Sequence, residues 1–105
     1  EAAAYAAGYP QVLTGDMNAN SSNPALQAFF HSGWRDSYAE IHGELEPGNT
    51  FHQFLGPAYT GNDGKIDWIL YRGALRPTSA EIVRTSKNGR YPSDHYFIRA
   101  DFEWI

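Results

Sequence analysis

Residues 65–71 read Lys65-Ile66-Asp67-Trp68-Ile69-Leu70-Tyr71, and this run constrains the fold more than any other stretch of the chain. On an extended backbone, residues two apart share a face. Ile66, Trp68 and Leu70 then line one face, and Asp67, Ile69 and Tyr71 the other, so both faces read as buried and the strand belongs inside a layered domain. Asp67 breaks the pattern. A carboxylate among large apolar neighbours is costly unless it is paired or coordinated, so Asp67 calls for either a structural ion pair or a place in a functional site.

A second strand is expected over residues 96–105. Tyr96, Ile98, Ala100, Phe102 and Trp104 alternate with Arg99, Asp101 and Glu103, as on a sheet with one solvated side. Six Phe, seven Tyr and three Trp suit such half-buried pleated surfaces better than a small helical bundle. Residues 11–14, 50–54 and 78–85 also read as strands, the first short and buried. A helix is expected over residues 24–31. Asn23 and Pro24 suit its N-cap and first position, Leu26, Phe29 and Phe30 give it an apolar side, and Gly33 marks its end. Residues 34–41 do not select between helix and strand. Residues 43–49 and the basic stretch 86–92 read as loops, and Gly61-Asn62-Asp63-Gly64 as a turn. The alanine-rich residues 1–8 read as helix without an N-cap or an initiator Met, so the chain is expected to begin partway through a helix, with further sequence upstream.

A net charge of −4 argues against holding nucleic acid by bulk electrostatics alone, although acidic residues neutralised by bound cations remain compatible with phosphate chemistry. With no cysteine there is neither a disulfide framework nor a thiolate zinc site, and the compartment stays open. No apolar run approaches the ~20 residues of a membrane span, and no signal segment is present in this chain, which is expected to be soluble.

Two polar motifs flank the central run. Gly15-Asp16-Met17-Asn18 closes an apolar stretch and offers a carboxylate and a carboxamide two residues apart; it reads either as a plain turn or as a site at a strand end. Ser93-Asp94-His95 stands at the entrance to the last strand. His52 is either a satisfied sheet histidine or a substrate contact. Arg84, Lys87, Arg90 and Arg99 form either a basic rim for a phosphate or a solvated face, the latter being the simpler reading.

Taken in order, Gly15-Asp16-Met17-Asn18, Ile66-Asp67-Trp68-Ile69-Leu70 and Ser93-Asp94-His95 resemble the endonuclease/exonuclease/phosphatase family, metal-dependent phosphoesterases with a deoxyribonuclease-like fold. Thr50-Phe51 resembles the family's Thr-aromatic step between the first two motifs. Met17 stands where an aromatic is commoner, and Phe97 where many relatives carry proline. The resemblance runs from about residue 9 to the end. It implies an α+β fold, the C-terminal half of an α/β sandwich of two packed, mostly antiparallel sheets with outer helices. Residues 1–105 are then the C-terminal part of one domain, whose N-terminal half, with a Glu metal ligand, an Asn and a second catalytic His, lies outside this chain.

The roles implied by the resemblance fall on matching positions. Asp16 resembles the carboxylate that orients or deprotonates the attacking water, and Asn18 the residue that hydrogen-bonds water and phosphate. Asp94, together with Asp16, resembles a ligand of Mg²⁺ or Mn²⁺. His95 resembles the histidine that contacts the scissile phosphate, and Asp67 the carboxylate that fixes its tautomer. His52 and Arg90 are candidate substrate contacts. The implied function is hydrolysis of a phosphodiester or phosphomonoester by a metal- and Asp-activated water. The substrate is a nucleic acid, an inositol phosphate or a phospholipid head group. The isolated chain is expected to be inactive, and an apolar face of strands such as residues 65–71, left open by the missing half, is expected either to drive self-association or to make the chain depend on a separate N-terminal fragment. The rival reading is a non-catalytic β-rich module that stacks carbohydrate or protein on Trp34, Tyr59 and Tyr91.

Overall fold

The computed structural model describes residues 9–43 and 47–105 of the 105-residue chain. The helix expected over residues 1–8 lies outside them. Two antiparallel sheets form the frame. The first has the strand order β1-β3-β2, built from β1 (Gln11–Asp16), β2 (Arg35–Asp36) and β3 (Asp67–Arg72), and the second pairs β4 (Leu75–Val83) with β5 (Phe97–Trp104). The α+β sandwich expected from the sequence is the architecture found, with helices α1 (Pro24–His31) and α2 (Ser37–His42) outside the strands.

β3 holds these layers together, as its two apolar faces require. Trp68 and Leu70 point to one side, where they are buried with Leu26 of α1, Trp34 and Ala19, and where Phe30 meets the Trp68 ring edge-on at 6.2 Å. Tyr71 points to the other side and its ring lies 5.5 Å from Phe102 of β5, which joins the two sheets. The apolar faces of residues 65–71 are therefore covered within the chain. Exposed apolar side chains sit elsewhere, among them Val12 on β1, Phe54 and Leu55 in the turn after Phe51, Phe97 at the start of β5, and Trp104 and Ile105 at its end, 77% and 75% exposed. Trp104 thus departs from the inward-facing expectation. It shares the parity of Phe102 but lies opposite Leu75 at the open end of β5, past the cover of the first sheet.

Local chemistry sets the bounds of α1. The Asn23 side chain accepts the Ala25 N–H at 2.9 Å, and Pro24 occupies the first turn. At the other end the Gly33 N–H bonds Phe30 O and the Trp34 N–H bonds Phe29 O, both at 3.1 Å, while Gly33 adopts a φ of 90°. This is the Schellman arrangement, which glycine accommodates without steric cost. Asn23→Ala is expected to cost about 1 kcal/mol of stability, read from the urea midpoint; an unchanged midpoint would mean that Pro24 alone holds the helix start.

Three other expectations are corrected. Residues 50–54 are not a strand: only Phe51 forms a bridge, to His95, and Gln53 and Phe54 turn the chain with φ of 53° and 61°. β1 runs on through Gly15 to Asp16 because its pairing with β3 continues to Asp16 opposite Asp67, and it is half open to solvent rather than buried. The basic stretch 86–92 contains a two-residue hairpin. Asn88 and Gly89, at φ 53° and 73°, let Lys87 and Arg90 exchange backbone hydrogen bonds of 2.9 Å each, the type I′ geometry that an Asn-Gly pair favours.

Candidate active site

The antiparallel register of β1 and β3 is what assembles the site. Asp16 and Asp67 are the last register pair of the two strands, so their side chains leave the same face at the same sheet end. His95 is brought to that end by the Phe51 bridge and by backbone bonds on either side of it. The His52 N–H donates to Asp94 O at 2.8 Å, and the Tyr96 N–H to Thr50 O at 2.7 Å. The Ser93 hydroxyl accepts the His95 N–H at 3.1 Å, which tightens the turn before β5.

The imidazole lies between the two carboxylates. Its Nδ1 is 2.8 Å from Asp67 Oδ2, and its Nε2 is 3.7 Å from Asp16 Oδ2. Exposure increases along this line, from 13% for Asp67 through 24% for His95 to 41% for Asp16. The inner carboxylate therefore holds Nδ1–H and leaves Nε2 facing the open groove, the arrangement that fixes a histidine's tautomer. Burial works against a charged ring here. The hydrogen bond and charge of Asp67, with the charges of Asp16 and Asp94 behind them, outweigh burial and hold the His95 pKa above its ordinary value. The groove, of about 490 Å³, is floored by Thr14, Asp16, Asp67 and Ile69 and walled by the start of β5.

The other residues singled out from sequence fall in different places. Asn18 is not on the strand with Asp16. The chain turns, Asn18 takes a φ of 49°, and its backbone N–H donates to Asp16 Oδ1 at 2.9 Å, steadying that carboxylate while its side chain lines a neighbouring polar groove with Asn20 and Asn62. Asp94, expected as a metal ligand, is half-buried beside His95 and acts on it through its charge, and it lies outside the Asp16, Asp67 and His95 cluster that could hold a cation. His52 is buried, 1% exposed, with its ring stacked 4.3 Å from Tyr96 and its Nδ1 accepting the Gly56 N–H at 3.2 Å. It is placed in the interior rather than at the groove. Of the basic residues, Arg99 pairs with Glu81 and Asp101 on the outer face, and Arg84 donates to Pro47 O at 3.1 Å. Arg90 and Lys87 line a groove that reaches His95. A stacking platform of Trp34, Tyr59 and Tyr91 does not form: Trp34 is buried under the Arg72 guanidinium, and the Tyr59 hydroxyl is held by Asp63 at 2.6 Å.

One oxygen from each of Asp16 and Asp67 and a ring nitrogen of His95 lie within 4.8 Å of one another, a cluster that suits a divalent cation. The donor set fits a hard cation on its exposed side. Asp16 offers an exposed carboxylate with solvent access, whereas Asp67 is committed to the imidazole.

A carboxylate, histidine and carboxylate converging at a sheet end form the type of centre that hydrolytic enzymes use on charged esters. The chain belongs to the Endonuclease/Exonuclease/phosphatase family, whose model matches residues 1–95. That family acts on phosphate esters and is generally dependent on divalent metal. Among curated proteins none matches the sequence. Solved structures share the fold. A mannosyl-6-phosphatase from Bacteroides thetaiotaomicron VPI-5482 superposes with a TM-score of 0.72 at 23% identity, over 90% of this chain and 38% of its own. An endonuclease/exonuclease/phosphatase family protein from Bacteroides thetaiotaomicron gives 0.74 at 24%, over 89% and 35%. A functionally unknown conserved protein from Enterococcus faecalis V583 gives 0.71 at 23%, over 92% and 37%. The chain thus spans well under half the length of these structures. No helix among the described residues is long and apolar enough to cross a membrane.

Proposed function

We propose that this chain carries one half of a phosphoesterase site, in which Asp16 activates water, His95 engages the scissile phosphate and Asp67 positions His95. The observation that carries this reading is the Asp67–His95–Asp16 line, 2.8 Å and 3.7 Å long, at one sheet end. A water held against Asp16 gives up a proton to the carboxylate as its oxygen bonds phosphorus. The bond from phosphorus to the alcohol oxygen then breaks, and the departing oxygen takes a proton from solvent water. His95, with Nδ1–H held by Asp67, donates from Nε2 to a phosphate oxygen when protonated, and its raised pKa favours that form. Asp94 and Asp16 would hold Mg²⁺, or Mn²⁺ in its place, which when bound supplies neutralisation of charge on the phosphate. Asn18 steadies Asp16 through its backbone N–H. The substrate is a phosphate ester, and the mannosyl-6-phosphatase of the same fold supports including monoesters beside nucleic acid, inositol phosphate and phospholipid head groups.

This reading carries a further consequence for the isolated chain. Mg²⁺ is usually fixed by one or two carboxylates besides waters and substrate. Asp16 and Asp94 alone make a weak site, so residues 1–105 are proposed to be the C-terminal part of a domain whose other half completes it. The purified chain is expected to show little or no turnover of a chromogenic phosphodiester with Mg²⁺. It is also expected to self-associate through β1, which lies at the edge of its sheet among the described residues and carries an exposed Val12. Turnover and mass in solution, measured with Mg²⁺ and with EDTA, test both. Robust EDTA-sensitive turnover by a monomer would show that the half-site reading is wrong.

A further inference from the structure

The phosphoesterase reading uses one groove at His95. A second groove of about 450 Å³ meets the first there, and His95, Tyr96 and Phe97 line both. Its remaining wall comes from the end of β4 at Val83 and from the stretch before β5, with Thr85, Ser86, Lys87, Arg90, Tyr91 and Pro92.

Phe97 opens β5 opposite Val83 and is 53% exposed, facing the groove. The Tyr91 ring is held from behind, 4.6 Å from His52 and 5.9 Å from Tyr96, so it is a fixed surface rather than a loose loop side chain. The type I′ turn at Asn88 and Gly89 sets Lys87 and Arg90 as neighbours across the hairpin, and both line the groove. Thr85 and Ser86 also line the groove, but most of its exposed wall is apolar, from Val83, Pro92 and the Tyr91 and Phe97 rings. A flat ring stacks on such a wall without needing hydrogen bonds.

In-line displacement at phosphorus keeps the entering and leaving oxygens apart. A water beside Asp16 in the first groove therefore sends the alcohol half of the ester into adjoining space, and the second groove is the space that joins at His95. We propose that this groove is the leaving-group subsite, taking a flat unsaturated ring on the alcohol half of the ester against Phe97 and Tyr91, with Lys87 and Arg90 meeting negative charge on that half. The inference rests on the phosphoesterase reading of Asp16, Asp67 and His95. The ring is an aryl group or a nucleobase, and separate probes distinguish these sources.

The test is titration of the ¹⁵N-labelled chain with Mg²⁺ and, in turn, p-nitrophenyl phosphate, thymidine 5′-monophosphate and glucose 6-phosphate. Resonances of His95 report the phosphate, and those of Tyr91 and Phe97 report the ring. At least one ring-bearing ester is expected to shift all three residues and to saturate at about tenfold lower concentration than the sugar phosphate, the scale of one aromatic stack. Phe97→Ser, at an exposed position, is expected to erase that preference. Equal saturation by all three ligands with His95 responding would overturn the subsite and leave the phosphoesterase reading standing. A response of Tyr91 and Phe97 with His95 silent would place the ring apart from the phosphate and overturn the subsite. Silence at all three residues up to saturating ligand would likewise reject the groove as a subsite, while the turnover and EDTA assay above decides the phosphoesterase reading separately.

Discussion

Replacing His95 with alanine is expected to lower phosphate-ester hydrolysis by ~10²-fold or more in a protein carrying the whole domain, the scale of a positioned acid or base. The expectation follows from the imidazole's place between Asp67 at 2.8 Å and Asp16 at 3.7 Å, with Nε2 turned to the groove. Truncation removes the proton donor and also unbalances Asp67, a largely buried carboxylate whose side chain is 13% exposed. Asp67→Asn separates these effects. It retains an acceptor for Nδ1–H but removes the charge, so a loss of about 10–100-fold is expected, typical of a partner that orients another group. The hydrogen bond and charge of Asp67 are also what raise the His95 pKa against burial. In Asp67→Asn the imidazole should therefore titrate at lower pH, a shift read directly from its NMR resonances. A loss below tenfold in His95→Ala, with folding intact, would mean that His95 is structural and packs against Phe51, whose ring lies 5.3 Å away.

Where the sequence spoke through local chemistry, it was legible. The Asn23-Pro24 start and Gly33 stop delimit α1 because capping is decided by the residues themselves. The doubly apolar run gave β3 its central place, and the isolated carboxylate within it pointed to Asp67. Other features were decided by contacts distant in the chain. Arg35 and Asp36 become a strand only because β3 lies beside them, and the same Asp36 then caps α2 by accepting the Tyr38 N–H at 3.0 Å. Residues 50–54 have strand-like composition, yet burial of the His52 ring against Tyr91 and Tyr96 turns the chain after a single bridge. The offset of Asn18 from Asp16 was hidden for a similar reason. Same-face logic holds only while a strand lasts, and β1 ends at Asp16. The Asn88-Gly89 pair is a readable hairpin signal within the basic loop, because both residues accept the positive φ a type I′ turn needs.

The largest expected loss of stability is at Trp68. This side chain is 2% exposed, its indole N–H donates to Ala19 O at 2.9 Å, and the Lys65 ammonium sits 3.1 Å from its ring centroid. Removing it opens a cavity between α1 and β3, leaves the buried Ala19 carbonyl without that donor and takes the ring from a lysine that is itself only 4% exposed. Trp68→Ala is expected to cost about 3–5 kcal/mol, a large part of the 5–15 kcal/mol that typically separates folded from unfolded chains. Urea unfolding followed by far-UV circular dichroism measures it. Trp68→Phe keeps an aromatic body in the core and removes the indole donor, so a smaller loss of about 1–3 kcal/mol is expected. Because Trp68 and Asp67 leave β3 on opposite faces, this milder variant should retain the register that sets Asp67 beside Asp16, and with it the hydrogen bond to His95. An NMR spectrum of Trp68→Phe in which the His95 imidazole titrates as in the wild type would confirm that the core face and the site face of β3 are separable. A His95 titration lowered as far as in Asp67→Asn would show instead that packing under Trp68 holds Asp67 in place, making the indole a positioning residue for the site.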